Sequence, residues 1–140
     1  EDQWGTEDQG WIAWFIKCGL LNNKIKLFGN GKQVRDVLHV SDLANLIYIC
    51  IKKINRIKGH AFNIGGGSQN TLSLLELINK LEIKLKTKIN YSFNKERFGD
   101  QKFFVNNLSK IKKMTGWYPK VSTNNGLDKY IDWIKSTEKK

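Results

Sequence analysis

Arg35, Arg56 and Arg97 are the only arginines among 24 basic residues, and two of them stand where a guanidinium could do chemistry. Arg35 precedes Asp36 on an extended segment just after the Gly29-Asn30-Gly31 turn. Arg97 opens Arg97-Phe98-Gly99-Asp100, in a loop between two expected strands. An arginine beside glycine can bring its planar fork to a phosphate while the backbone approaches closely. Asp100 could then accept from sugar hydroxyls. Two such arginines, from distant segments, meeting on one diphosphate would make a nucleotide site. The alternative is a pair of surface ion pairs, Arg35–Asp36 and Arg97–Asp100, of little energetic value.

Other motifs carry less. Phe62-Asn63-Ile64-Gly65-Gly66-Gly67 reads as a strand entering a glycine loop, the context of a phosphate cradle. The dinucleotide spacing fails, because G-x-G-x-x-G from Gly65 would need glycine where Asn70 stands. A tight turn is the simpler reading. Tyr-x-x-x-Lys occurs at Tyr48/Lys52 and Tyr91/Lys95, but neither has an upstream cofactor unit, and in a strand the second pair would not stack. His39 and His60 have no metal-ligand or nucleophile partners at useful spacing and read as structural.

These residues need elements to hold them. Residues 11–21 read as a buried helix, and Lys24 to Phe28 as a short strand followed by the glycine turn. Gln33 to Val40 reads as extended. Ser41 or Asp42 is the expected cap of a helix whose apolar stripe is Leu43, Leu46, Ile47, Cys50, Ile51 and Ile54. Ala61 to Ile64 reads as a strand. Ser73 and Glu76 form a capping box for a helix reaching about Lys86. Strands are expected over Ile89–Phe93 and Lys102–Val105, a short helix capped by Asn107 ends near Gly116, and the last helix opens near Thr123. The class is α/β, with short strands and about five helices, and without a complete doubly wound sheet.

Composition sets the outer bounds. The net charge is +11, yet 21 of the basic residues are scattered lysines, which argues against a nucleic-acid grip. Two cysteines, Cys18 and Cys50, sit in apolar stretches and exclude a disulfide scaffold; as reduced thiols they point to the cytoplasm. No apolar run reaches the ~18 residues of a membrane span.

In order along the chain stand Leu27-Phe28-Gly29-Asn30-Gly31, Arg35-Asp36-Val37-Leu38-His39-Val40-Ser41-Asp42, Phe62-Asn63-Ile64-Gly65-Gly66-Gly67, Arg97-Phe98-Gly99-Asp100-Gln101 and Gly116-Trp117-Tyr118-Pro119. From Gly5 to Trp133 this resembles the C-terminal half of nucleotide-sugar epimerases and dehydratases of the extended short-chain dehydrogenase/reductase type. The opening Gly5-Thr6-Glu7-Asp8-Gln9-Gly10-Trp11, with Asn70 to Leu77, resembles members acting on a CDP-linked deoxyhexose at C2. The resemblance implies that Arg35 and Arg97 hold the substrate diphosphate, Asp100 the ribose and Phe28 the base. It places Gln9 and Gly10 against nucleotide or sugar. It implies residues 1–10 as an N-terminal loop or tag scar, 11–135 as the nucleotide-sugar binding region of an extended Rossmann-type epimerase with its main cofactor sheet largely missing, and 136–140 as a solvated tail.

The family works by transient oxidation, with NAD taking and returning hydride, and its cofactor glycines and catalytic Tyr and Lys lie upstream of the matched region. The resemblance therefore implies an isomerase in the parent protein and a chain that is inactive alone, with no catalytic residue and no metal. Its partner would be the missing N-terminal half, against which Ile64 and the neighbouring apolar helix would pack; without it the chain should be sticky or dimeric. The alternative is a stand-alone basic module binding nucleotides or nucleic acid without catalysis. Departures from the family pattern are Phe98 where proline is usual and Asn107 where aspartate usually caps.

Overall fold

In the computed structural model, which describes residues 5–7 and 9–137, the chain divides into two units built from discontinuous segments. The first comprises Glu1–Val34, Leu72–Lys102 and Asp128–Lys140; the second comprises Arg35–Thr71 and Phe103–Leu127. Among the described residues, no helix is long and apolar enough to cross a membrane.

The first unit is built on α1 (Trp11–Leu20), β1 (Ile25–Phe28), α4 (Leu74–Leu85) and β4 (Tyr91–Asn94). β1 and β4 pair in parallel, Ile25 opposite Tyr91 and Phe28 opposite Asn94. Ile25 and Leu27 alternate inward at 0% exposure, as a two-residue period requires. They join Phe15, Ile16 and Cys18 of α1 and Leu77, Ile78 and Leu81 of α4 in one core. Gly19 allows α1 and α4 to approach closely, since a Cβ there would stand 2.8 Å from the Leu85 Cδ1. Burial pushes the Cys18 thiol above its usual range, so it is a packing group.

The capping box of α4 forms as its sequence dictates. The Ser73 amide donates to Glu76 Oε2 at 2.7 Å, and the Glu76 amide donates to Ser73 Oγ at 3.2 Å. The bonds from the Ser73 backbone and hydroxyl hold the Glu76 carboxyl below its usual range. A lowered folded-state value gives stability that is present above the unfolded carboxyl pKa and is lost as pH falls through the folded one. Glu76 is exposed, so the effect is small. Glu76→Gln should flatten the acid side of the stability curve by less than about 1 kcal/mol, read by urea unfolding at neutral and acid pH.

The second unit holds α2 (Val40–Lys52), the single turn α3 (Ile54–Ile57) and α5 (Ser109–Thr115). β2 (Val34–Asp36) lies between β3 (Thr71–Ser73) and β5 (Phe103–Phe104) in a three-stranded sheet. Leu46, Ile111 and Trp117 form the core, with Leu38, Ile49, Cys50, Phe62 and Leu108 packed on it. α6 (Thr123–Thr137) begins at the expected residue and runs from this unit into the first. Six α-helices are therefore present among the described residues, α3 being the addition to the sequence reading.

Several expectations are corrected here. His39, with φ −74° and ψ 140°, caps α2 in place of Ser41 or Asp42, and its Nδ1 accepts from the Ser41 amide at 3.2 Å. Asp42 instead turns inward, 5% exposed, and accepts from the Lys120 and Val121 amides at 3.0 and 2.9 Å. The expected apolar stripe is split between α2 and α3 and only partly buried: Leu46 is 1% exposed, whereas Ile47 and Ile51 of α2 and Ile54 of α3 are 54%, 67% and 53% exposed. Ala61 to Ile64 carries no strand ladder among the described residues, because a strand needs a partner edge. α5 begins one residue later than expected, with Leu108 at the cap position, although Asn107 Oδ1 still accepts from the Ser109 amide at 2.9 Å.

Candidate functional site

β1 ends at Phe28, and the chain turns at once through Gly29 and Gly31, both with left-handed φ, at +77° and +73°. Gly31 has a second constraint: a Cβ there would stand 2.9 Å from Leu75 Cγ, while its carbonyl accepts from the Leu75 amide at 3.1 Å. Between them Asn30 Oδ1 accepts from the Lys32 amide at 3.0 Å, closing the turn locally. The Gly29 amide donates to Asn94 O, which continues the β1–β4 pairing to the lip of the turn.

The loop after β4 comes back over this turn. Arg97 to Asp100 closes on itself through the Asp100 amide and the Arg97 carbonyl at 3.2 Å, with Gly99 at φ +77°. The Arg97 guanidinium lies 3.8 Å from the centre of the Phe28 ring, a cation–π stack. Gln33 Nε2 donates to the Phe28 carbonyl at 2.8 Å and to Asp100 Oδ2 at 3.3 Å. The result is a cleft of about 200 Å³ lined by Gly29, Asn30, Lys32, Gln33, Glu96, Asp100, Gln101 and Lys102. Its lining offers two lysines and two carboxylates, Glu96 and Asp100, and the Arg97–Phe28 stack stands beside it; together these are groups a nucleotide can use, cations for phosphate, acceptors for hydroxyls and an aromatic ring for stacking. Its volume is below the ~300–1,000 Å³ of a whole-ligand pocket and suits one part of such a molecule.

Phe28, Arg97 and Asp100 are thus brought together in the first unit. Gln9 and Gly10 belong to the same unit, in a local turn: Thr6 and Gln9 exchange backbone hydrogen bonds at 2.8 and 3.3 Å, and Gly10, at φ +69°, enters α1. Arg35 lies on β2 in the second unit, half-buried. Asp36 accepts from the Gly67 amide at 2.8 Å and from Asn106 Nδ2 at 3.1 Å. Sequence reasoning missed Gln33. An amide between a glycine turn and a strand has no distinctive signal, and its partners stand 5 and 67 residues away.

The triple glycine is filled by the protein itself. A Cβ on Gly65 would stand 2.2 Å from Asp36 Oδ2, and one on Gly66 2.0 Å from the Val37 carbonyl oxygen. On Gly67, at φ +70°, it would stand 3.0 Å from Leu108 Cδ1. The Val37 backbone and the Asp36, Asn106 and Leu108 side chains therefore take the space beside these glycines, and the run does not fit a dinucleotide cofactor. The Tyr48/Lys52 pair is likewise self-engaged, with the ammonium 4.4 Å from the ring centre.

Comparison with known proteins finds epimerases and dehydratases among the relatives. Residues 3–65 match the NAD dependent epimerase/dehydratase family. The chain is 42% identical over 140 residues to CDP-paratose 2-epimerase of Salmonella typhi, covering 96% of this chain and 41% of that protein. It is 31% identical over 121 residues to UDP-glucuronate 4-epimerase of Thermodesulfobacterium geofontis, covering 86% and 36%. Among solved structures it matches UDP-glucuronic acid 4-epimerase of Bacillus cereus in complex with UDP-glucuronic acid and NAD. That match has a TM-score of 0.84 at 27% identity, over 92% of this chain and 40% of that one. The chain spans about two fifths of the length of these relatives.

Proposed function

We infer that this chain, an NAD dependent epimerase/dehydratase family sequence over residues 3–65, is the substrate-binding part of a nucleotide-sugar epimerase whose substrate is CDP-paratose and whose product is CDP-tyvelose. The observation that carries the reading is the Arg97–Phe28 stack beside the cleft that Asp100 lines, together with 42% identity to a CDP-paratose 2-epimerase. In this reading Phe28 supplies a face for the base and Asp100 accepts from the ribose. Arg97 and Arg35 each pair with the diphosphate, while Gln9 and Gly10 line the nucleotide or the sugar. The chain contributes binding energy and orientation, holding the sugar for a reaction carried out elsewhere.

NAD belongs to the reaction of the whole protein; the glycines present here do not fit it, so its site is proposed in the part of the fold this chain does not match. That part is also the proposed partner of the exposed row Val40, Ile47, Ile51 and Ile54. Four large exposed apolar side chains along α2 and the start of α3 are unusual for a surface that stays in water.

The test is a titration of the 140-residue chain with CDP, followed through its backbone amide resonances. Shifts confined to residues 28–33 and 96–102, with a Kd of about 1 mM, are expected from so small a cleft. The absence of shifts at several times that concentration, or shifts elsewhere only, would sink the binding assignment. Incubation with CDP-paratose and NAD should give no CDP-tyvelose, and turnover would overturn the claim that the chain is inactive alone.

A further inference from the structure

We propose that Gln33 is the positioning residue of the nucleotide cleft: its amide ties the Arg97–Asp100 turn to the end of β1 and so holds the guanidinium over Phe28. The proposal deepens the nucleotide reading above and rests on it for the identity of the ligand, though not for the tie itself.

The amide nitrogen carries two hydrogens, and the structure gives each an acceptor: the Phe28 carbonyl at 2.8 Å and Asp100 Oδ2 at 3.3 Å. Both partners accept only, so the opposite orientation of the amide would face oxygen with oxygen, and the assignment has no rotated alternative. One anchor is rigid. Phe28 ends β1, and the next amide, Gly29, is bonded to Asn94 across the parallel pair. The other anchor is a short loop that closes on itself through the Asp100 amide and the Arg97 carbonyl. Gln33 links the two by hydrogen bonds, beside the Arg97–Phe28 stack. Arg97 is exposed and reaches the Phe28 ring from three residues before Asp100. Fixing Asp100 therefore fixes the start of the side chain that must meet phosphate. A loop ordered before the ligand arrives does not have to be ordered by it, which is where affinity is gained without a new contact.

The choice of glutamine over glutamate follows. A carboxylate at position 33 would face both the Phe28 carbonyl and the Asp100 carboxylate, and two carboxylates sharing one site hold a proton between them more tightly than either alone. Gln33→Glu should therefore break the tie in its doubly charged form, and one proton restores only the bond to Asp100, since a carboxyl has a single O–H to give. Lys32, Lys102, Arg97 and Glu96 also surround this point. Their own response to pH is removed by running the unaltered chain in parallel.

Hydrogen exchange at the Asp100 amide reads the tie without any ligand, with the Gly29 amide as the internal reference. In Gln33→Glu, Asp100 protection should fall about tenfold at about pH 7.5 and return towards the unaltered value near pH 5, while Gly29 stays protected. Gln33→Met, which keeps the length and has no donor, should lose the protection at both pH values. Unchanged Asp100 exchange in both variants overturns the proposal, as does a loss in Gln33→Met that Gly29 shares, since Gln33 would then support the fold at large. CDP titration of Gln33→Met should show about tenfold weaker binding; loosened Asp100 exchange with unaltered CDP affinity also overturns it. If the unaltered chain shows no CDP binding, the nucleotide reading fails by itself, and the exchange data still decide whether Gln33 ties the turn.

Discussion

Gly66→Ala should cost the chain about 3 kcal/mol of stability and lower its Tm by about 10 °C. The methyl group would sit 2.0 Å from the Val37 carbonyl oxygen, 2.7 Å from the Val37 carbonyl carbon and 2.8 Å from Asn70 Cβ. Two of those three atoms are backbone, and neither can rotate away as the end of a flexible side chain could. Relief requires moving Val37, whose amide is bonded to the Asn70 carbonyl at 2.8 Å. It also requires moving Asn70, which holds the start of α6 through the Thr123 amide at 3.1 Å. Gly126→Ala is the internal contrast. A Cβ there meets His39 Cδ2 at 3.4 Å and Val121 Cγ1 at 3.9 Å, both side-chain atoms at ordinary contact, and the position is helical, so that variant should gain about 0.5–1 kcal/mol. Thermal unfolding of the two variants beside the unaltered chain checks both. A Gly66→Ala protein as stable as its parent would show that the close approach of residues 37 and 66 is not a packing constraint, and would reopen the glycine run as a place for a ligand.

The second large effect is on binding. Arg97→Ala should weaken CDP binding by about tenfold to a hundredfold, the value of a charge-assisted bond to phosphate, with little change in Tm because Arg97 is exposed. Arg97→Lys should recover little of the loss. An ammonium lacks the planar fork that can lie 3.8 Å from the Phe28 ring and still present paired donors at its edge. Amide titrations of the three proteins with CDP decide the matter. Full affinity in Arg97→Lys would mean that only positive charge is needed, and full affinity in Arg97→Ala would remove the residue from the site.

What could be read in the sequence was what is local. The Ser73–Glu76 capping box spans three residues and formed as expected, as did the alternation that buries Ile25 and Leu27. Arg97 and Asp100 could be singled out because arginine is scarce in this lysine-rich chain and both stand within two residues of Gly99. Asp42 was illegible as a buried anchor, since the amides it accepts from stand 78 and 79 residues later. With Asp42 turned inward, the cap passed to His39, a residue type that periodicity does not flag. The stripe on α2 was visible, but not which part of it is buried. Leu46 meets Ile111 and Trp117, whereas Ile47 and Ile51, one turn round the same helix, do not share that core. Gly65 to Gly67 suited a phosphate cradle and a tight turn equally well on paper, and the Val37 carbonyl decided between them.

The segments of the two units alternate along the chain, which crosses between them after Val34, Thr71, Lys102 and Leu127. Pairing Ile25 with Tyr91 must close a loop that contains all of Arg35–Thr71, at an entropic cost of about 4 kcal/mol for some sixty residues. Parallel pairing over that separation is slow compared with forming α1 or α4 alone. The same threading acts in the opposite direction once the chain is folded. Neither unit is a continuous stretch that one cut could release, so a molecule nicked at any single crossing keeps both units joined by the remaining three.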